Sequence, residues 1–305
     1  MDRYQEMRVF AAVVDAGSFV GAADQLDISK AGVSRIVSEL ESRLGVRLLH
    51  RTTRRLSLTG EGEIFLGRCK EILAAVADAE AEISASSGQA VGLLKVSAPV
   101  SFGILRLAPL WGGFLARHPL TQLDITLSDR VVDLVDEGFD LAVRIARLES
   151  STLVSRRLAS TRMALCASPR YLRKHGRPRH PDDLARHTVL AYSLLAGGDT
   201  WEFQGPQGPV SVKVQPRMHT NSGDTCRAAA LAHQGVILQP DFLVGEDLRT
   251  GTLVELLPPY RIQDLGIYAV YPTRKHVPHK VRLLIDYLAQ ALTHEERAET
   301  LARGL

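Results

Sequence analysis

Cysteine is scarce in this chain, and the little there is lies scattered. The 3 cysteines, Cys69, Cys166 and Cys226, form no CxxC pair and share no spacing with histidine that would build a zinc site. A disulfide framework and a zinc centre are therefore excluded as the basis of the fold. With no resolving cysteine near any of them in sequence, they read as buried thiols. Long apolar runs are lacking too. The opening MDRYQEMRVFAAVVDAG carries acids beside a short apolar run, which is the pattern of neither a secretory leader nor a membrane span, so a cytoplasmic location is expected. Excess charge is small, +3 over 305 residues, so any nucleic-acid site must be a local concentration of cations. Catalytic signatures are missing as well: GxSxG, a P-loop, GxGxxG after a strand and HExxH do not occur, and no enzyme activity, catalytic residue, cofactor or metal is expected. Asp182-Asp183 after Pro181 reads as the acidic first turn of a short helix. His118, His180 and His279, each beside a proline, read as surface residues.

What is present suits a soluble chain of two or three domains, with 45% hydrophobic residues. From Tyr4 to Ala16, Met7, Phe10, Ala11 and Val14 form a helical stripe that ends at Gly17. In SFVGAADQLDISKAGVSRIVSELESRL, Phe19, Ala22, Ala23 and Leu26 mark a second helix of about two turns with Ser18 as its cap. Val33, Val37, Leu40 and Leu44 mark a third, which begins near Ser29 after only Asp27 and Ile28. This is helix–turn–helix spacing. The far face of the third helix carries Ser29, Lys30, Ser34, Arg35 and Ser38, hydroxyls and cations that suit phosphate oxygens and the acceptor edges of bases.

Past Leu44, the pieces Val46–Leu49 and Leu56–Leu58 flank the polar turn His50–Arg55 and outline a wing. No acid lies between Glu41 and Glu61, while Arg43, Arg47, Arg51, Arg54 and Arg55 line up beside the third helix. From Glu61 to Ser87 one long helix carries a heptad seam through Phe65, Cys69, Ile72, Val76, Ala79 and Ile83. Such a seam between two globular parts predicts a homodimer, with Phe65, Ile72, Val76 and Ile83 as its contacts, and two winged helices placed to read an inverted repeat. SASSGQAVG then marks a hinge.

Beyond the hinge, strands expected at Leu93–Ser97, Leu123–Ser128, Leu141–Ile145, Leu153–Leu158, Met163–Ala167, Val189–Tyr192, Trp201–Phe203, Val210–Val214, Val236–Leu238, Leu253–Leu257 and Leu265–Tyr271 alternate with helices. The helices are expected at Phe102–Arg117, Val131–Glu137, Pro169–His175, Asp224–His233, Asp241–Leu248 and Val281–Leu292. The alternation predicts parallel sheets in two α/β lobes with a ligand cleft between them.

These features together resemble a LysR-type transcriptional regulator over the whole chain. The DNA-binding match is carried by SFVGAADQLDISKAGVSRIVSELESRLGVRLLHRTTRRLSLTGEG. The effector-domain match is carried by KVSAPVSFG, LSDRVVDLVDEGFDLAVRI, LCASPRYL, TNSGDTCRAAALAHQGVILQPDFLV and GIYAVYP. Two departures stand out: Lys30-Ala31-Gly32 occupies the place of a common Gln-Pro-Ala, and Gly60-Glu61-Gly62 has an acid where a small apolar residue often stands. The resemblance implies an α+β multidomain protein: a winged helix–turn–helix at 1–59, a dimerisation helix at 60–90, and a two-lobed α/β domain resembling periplasmic binding proteins at 91–305. Lobe I would take about 91–162 and 266–305, and lobe II about 163–265. Carried over by position, DNA contacts fall on Ser29, Lys30, Ser34, Arg35, Ser38, Arg51 and Arg54, and effector contacts on Ser101, Phe102, Ser128, Arg130, Arg144, Asn221, Ser222 and Pro240. The partners implied are promoter DNA bearing an inverted repeat, a small effector of carboxylate or aromatic character, further copies of the chain as a dimer or dimer of dimers, and a contact with RNA polymerase. A ligand-binding protein that never touches DNA, or an enzyme with an unrecognised site, is the rival reading; the arginine-rich wing speaks against both.

Overall fold

The computed structural model describes residues 2–51, 56–84, 89–147, 154–272 and 277–302. The chain forms two compact units, Met1–Gly88 and Gln89–Leu305. The first holds helices α1 (Arg3–Asp15), α2 (Phe19–Leu26) and α3 (Lys30–Leu44), strands β1 (Leu49–Arg51) and β2 (Leu56–Leu58), and the long helix α4 (Gly60–Ser84). Each short helix is started by a side chain that takes a free amide: Asp2 accepts from the Tyr4 N–H (2.9 Å), Ser18 from Gly21 (3.0 Å) and Ser29 from Gly32 (3.1 Å). The turn between α2 and α3 is tight because Asp27 takes a left-handed backbone (φ 53°), which an aspartate tolerates better than a branched residue.

Phe10, Val13, Ala22, Val33, Val37 and Leu40 are fully buried at the centre of this unit. Helix α1 packs on α2, α3 and α4 together, so its apolar face is broader than the expected stripe: Val9 and Val13 are buried, and Met7 and Val14 lie at its margin.

Two carboxylates are buried among these side chains. Glu6 takes the Arg43 guanidinium through Nε (3.0 Å) and Nη2. Glu41, 4% exposed, accepts the amides of Leu48 (2.9 Å) and Leu49 (3.2 Å) on one oxygen and Arg47 Nη1 (2.9 Å) on the other. This clamp delays the first wing strand, expected from Val46, until Leu49, which pairs antiparallel with Leu58. Thr59 closes the wing's base, donating to the Arg47 carbonyl (2.7 Å) and accepting from the Gly62 amide (2.9 Å). A side chain at Gly62 would put Cβ 2.1 Å from the Leu48 carbonyl oxygen, so only glycine fits there.

The heptad seam needs one correction. Cys69 is fully buried in the winged-helix core, and the half-buried Phe65 packs its ring 5.6 Å from that of Phe10, so at this end the seam serves the chain's own core as well.

The second unit begins with β3 (Gly92–Ala98), α5 (Val100–Phe102), a π-helical turn Gly103–Leu107, α6 (Ala108–Arg117), β4 (Thr121–Leu127), β5 (Leu141–Ala146) and β6 (Val154–Thr161). It continues through β7 (Met163–Ala167), α7 (Pro169–His175), a 3-10 turn Pro181–Arg186, β8 (Val189–Tyr192), β9 (Thr200–Gly205), β10 (Gly208–Lys213), β11 (Pro216–Thr220), α8 (Gly223–Leu231) and β12 (Val236–Pro240). Helix α9 (Asp241–Thr250), β13 (Val254–Glu255), β14 (Leu265–Tyr271) and α10 (His279–Ala302) complete it. Lobe I is the five-stranded sheet β4-β3-β5-β14-β6 and lobe II the five-stranded sheet β11-β8-β12-β7-β13, with β9 and β10 as a separate hairpin. Both sheets are mixed, where parallel ones are expected from the alternation. The chain leaves lobe I through β6, enters lobe II through β7 and returns through β14, and β7 and β14 run against their neighbours.

Val131–Glu137, expected as a helix, is a set of turns. The Asp133 carboxylate accepts the Val135 (2.9 Å) and Asp136 (3.1 Å) amides, a local bond that competes with helix. His118 is not on the surface: it is buried, and its Nδ1 takes the Ala90 amide (3.1 Å) while Thr121 Oγ1 donates to the Ala90 carbonyl (2.7 Å), pinning the start of the unit.

Replacing Glu41 with alanine strands two buried amides and frees Arg47, and a loss of about 2–4 kcal/mol is expected from urea unfolding, with faster hydrogen exchange at Leu48 and Leu49. His118 gives a pH test. Burial first, then Arg117 and His279, hold its pKa below the ordinary value. The unfolded chain therefore binds the proton more readily, so stability is full above the ordinary histidine pKa of about 6.5 and falls as pH drops below it toward the lowered folded value. Melting of the second unit between about pH 7.5 and 5.5 should show this decline, and His118→Gln should flatten it.

Candidate nucleic-acid interface and ligand cleft

Helix α3 turns Val33, Ile36, Val37 and Leu40 inward and leaves Lys30 and Arg35 exposed, with Ser34 and Ser38 half-buried between them. The Ser29 hydroxyl is engaged as the cap of α3, so at that position the helix start itself is presented. Arg35 meets Glu39 one turn on at 3.8 Å; with 74% of the arginine side chain in solvent, this pair holds it weakly. The arginine stripe of the wing divides. Arg43 and Arg47 neutralise the buried Glu6 and Glu41. Arg51 contributes its backbone to β1, while Arg54 and Arg55 lie outside the described residues.

In the second unit most of the expected cleft residues gather where α5 meets α8 and α9. Ser101, 8% exposed, sits inside α5 and does not cap it; its hydroxyl crosses between the lobes to the Asp224 carboxylate in the first turn of α8 (2.5 Å). The Val100 amide at the start of α5 donates to Asp129 (2.9 Å). At the start of α5, the Ser101 hydroxyl and the Val100 amide are thus both taken by the protein's own carboxylates. Ser222 caps α8 by accepting from Thr225 (3.2 Å), with the exposed Asn221 before it, and Pro240 precedes α9.

Phe102 is not a cleft wall: it is 2% exposed, packed edge-on against Phe242 with ring centroids 5.1 Å apart. Arg130 is exposed and forked onto Glu137, whose carboxyl pKa it lowers, and Ser128 accepts the Arg130 amide (3.3 Å). Arg144 is the other expected cation. It donates to the Val143 carbonyl (3.3 Å), its buried Nη2 has no hydrogen-bond partner, and burial, with Arg130 nearby, lowers its pKa. Asp133 and Asp140, the acids that would have made it structural, serve backbone amides.

Sequence reasoning missed Asp129, Asp224 and Tyr192. Burial, then Asp129 and Cys226, push the Tyr192 phenol up in pKa, so it stays a hydrogen-bond donor. Asp224 two places past the cap Ser222 was the one visible signal, an acid in the first turn of a helix. Cys226 and Cys166 are buried and pushed up to about 11 and about 12, which keeps them as thiols. Among the described residues no group of side chains is placed to hold a metal ion, and no helix is long and apolar enough to cross a membrane.

A winged helix–turn–helix joined by a long helix to a two-lobed α/β unit defines a transcription factor with an attached ligand-binding domain. Residues 4–63 match the bacterial regulatory helix-turn-helix protein family of the lysR type, and residues 87–293 match the LysR substrate binding domain. The chain belongs to the LysR family of transcriptional regulators, with a helix-turn-helix DNA-binding domain and an effector-binding domain. It is 38% identical over 281 residues to an uncharacterized HTH-type transcriptional regulator of Haemophilus influenzae, covering 92% of this chain and 98% of that one. It is 37% identical over 289 residues to the HTH-type transcriptional regulator CrgA of Neisseria meningitidis serogroup B, covering 94% and 96%. The solved structure of Neisseria CrgA superposes with a TM-score of 0.61 at 36% identity, covering 96% of this chain and 99% of that one. The full-length Vibrio cholerae virulence activator AphB does so at 0.59 and 29%, covering 94% and 98%.

Asp224→Ala removes the bond between the lobes. A loss of about 1 kcal/mol is expected, since Asp224 itself is exposed, and amide exchange should rise at the start of α5 and of α8 while the winged-helix unit is unchanged.

Proposed function

We propose that α3 enters the major groove of an inverted-repeat promoter site with Lys30, Ser34, Arg35 and Ser38 toward the bases and phosphates, and that Ser29, Arg51 and Arg54 contact the flanking backbone. The observation that carries this is the exposed, weakly paired Arg35 on the face opposite Val33, Val37 and Leu40. A groove offers it a bidentate acceptor that Glu39 does not. Dimerisation runs along α4 beyond Cys69, through Ile72, which is 44% exposed, and Val76. Ile83, whose side chain lies outside the described residues, continues the same stripe, and a dimer of dimers is the assembled form. With these roles, residues 1–59 read DNA, 60–90 pair the chains and 91–305 sense the effector. The chain acts in the cytoplasm through binding and not catalysis, and reaches RNA polymerase from the promoter.

The effector lies between the lobes among Ser101, Ser128, Asn221, Ser222 and Pro240. It is a small polar molecule that donates to Asp129 or Asp224 and offers an acceptor to Arg144 or Tyr192. A plain carboxylate finds Arg144 and the Tyr192 hydroxyl to receive it but leaves Asp129 and Asp224 without a donor. Binding shifts the protein between two arrangements of the dimer on DNA by no more than its difference in affinity for them.

The test is binding to the duplex upstream of the protein's own gene against a scrambled duplex, across ~50–200 mM salt. The upstream duplex should be preferred and affinity should fall steeply with salt. Arg35→Ala should cost ~1–3 kcal/mol of that preference. Equal loss on both duplexes would make Arg35 a phosphate contact, and no preference with no salt slope would remove the DNA reading.

A further inference from the structure

A second strongly basic stretch, apart from the wing, lies on lobe II. Between Pro169 and His187 stand Arg170, Arg173, Lys174, Arg177, Arg179 and Arg186 against Asp182 and Asp183 alone, an excess of 4 cations where the whole chain has +3. Tyr171 holds the two ends of this stretch together: its ring stacks on His175 at 4.5 Å, and its hydroxyl accepts the Thr188 amide (2.8 Å). Tyr171, Pro181 and Leu184 are buried, while all six cations are exposed, so charge is what the stretch shows to water.

The fold uses only some of these charges. Arg177 gives Nη2 to the Glu255 carbonyl (2.7 Å), and Arg186 lies near Asp183, which accepts the Arg179 (2.9 Å) and His180 (3.0 Å) amides. Asp182 sits beside His180 at 3.1 Å. Arg170, Arg173, Lys174 and Arg179 make no side-chain hydrogen bond or ion pair with any described residue. The helix dipole accounts for Arg173 and Lys174, which stand in the last turn of α7, where a cation is favoured. It does not account for Arg170 in the first turn, where a cation is disfavoured, nor for Arg179 beyond the helix. Arg170 also stands three and four places before Arg173 and Lys174, the spacing at which like charges on a helix repel. An external anion would relieve that repulsion.

We propose that this surface of lobe II is a second, sequence-independent contact with duplex DNA, in which Arg170, Arg173, Lys174 and Arg179 donate to backbone phosphates. Guanidinium forks match phosphate oxygens, and a duplex presents phosphates in a row that several cations meet at once. A protein partner is held chiefly by buried apolar and aromatic anchors, and no large apolar side chain between residues 163 and 190 is exposed. The contact adds affinity without reading bases, and by tethering the duplex it raises the effective concentration of the winged helices at their sites. It goes beyond the roles given to α3 and the wing and does not depend on which of their residues touch bases.

The full-length chain carrying Arg170→Gln, Arg173→Gln and Lys174→Gln together is compared with the unsubstituted chain on the upstream and scrambled duplexes across ~50–200 mM salt. The triple substitution should weaken both duplexes by the same factor, about tenfold or more at ~50 mM salt, and lower the slope of log affinity against log salt by about 2–3. Acetylation of the unsubstituted chain, read at Lys174 by mass spectrometry, covers a triple variant that fails to fold: the scrambled duplex should protect Lys174, and more strongly than poly-glutamate of equal charge. Unchanged affinity and slope in the triple variant, loss on the upstream duplex alone, or Lys174 equally reactive with and without duplex overturns the contact. The reading of α3 then still stands or falls by protection of Lys30 in the same spectra and by Arg35→Ala. Protection of Lys174 by poly-glutamate equal to or above that by duplex makes the surface a site for an acidic protein and overturns the DNA contact as well.

Discussion

The winged-helix unit turns on one buried carboxylate. Glu41 sits near the end of the recognition helix and holds the chain that leaves it, through the amides of Leu48 and Leu49 and the Arg47 guanidinium. A charge taken out of water is tolerable only when every lone pair is answered. Here the answers come from the first residues of the wing, so helix and wing have one relative position. Glu6 and Arg43 repeat the device between α1 and the last turn of α3. The cost is that two cations which look ready for phosphate are spent inside the protein's own fold, while Lys30 and Arg35 stay exposed on the outer face of α3.

The effector unit is governed by its connections. Strands β6 to β7 and the return along β14 carry the chain between lobes, and across the cleft Ser101 meets Asp224 while Phe102 meets Phe242. The protein's own acids occupy the helix-start positions that a carboxylate would otherwise favour. The Ser101–Asp224 bond thereby ties the two lobes to one another across the cleft. Elsewhere the converse holds: the Trp201 indole Nε1–H in lobe II and the Arg147 Nε–H just past β5 of lobe I have nothing to receive them.

Much of this was legible from residue spacing. Ser18 and Ser29 placed the helix starts because a hydroxyl before an apolar stripe has one economical use, and Gly17 and Gly45 placed the ends. Pro169–His175, Val189–Tyr192 and Leu265–Tyr271 fell where expected because proline and runs of β-branched or aromatic residues act locally. Glu41 was open to view as well, four residues past Val37 on the apolar stripe, as was Glu6 four before Phe10. An acid inside an apolar stripe marks a buried charge that needs a partner, although its partners cannot be named from spacing. The helix expected over Val131–Glu137 failed because Asp133 bonds its own following amides, and short-range apolar periodicity carries no record of that competition.

By itself the sequence determined the order of the elements, the three-helix core with its wing, the division into a DNA-reading and a ligand-sensing part, and the face of α3 that looks outward. All of these follow from interactions between residues a few places apart. Only the tertiary structure decided which arginines are spent on Glu6 and Glu41, that Phe65 and Cys69 belong to the winged-helix core, that the sheets are mixed, and that Asp224 closes on Ser101 from 123 positions away. Those outcomes depend on which charged and apolar groups are brought together when distant segments leave water, and the energy of a charge is set by that company rather than by its neighbours along the chain.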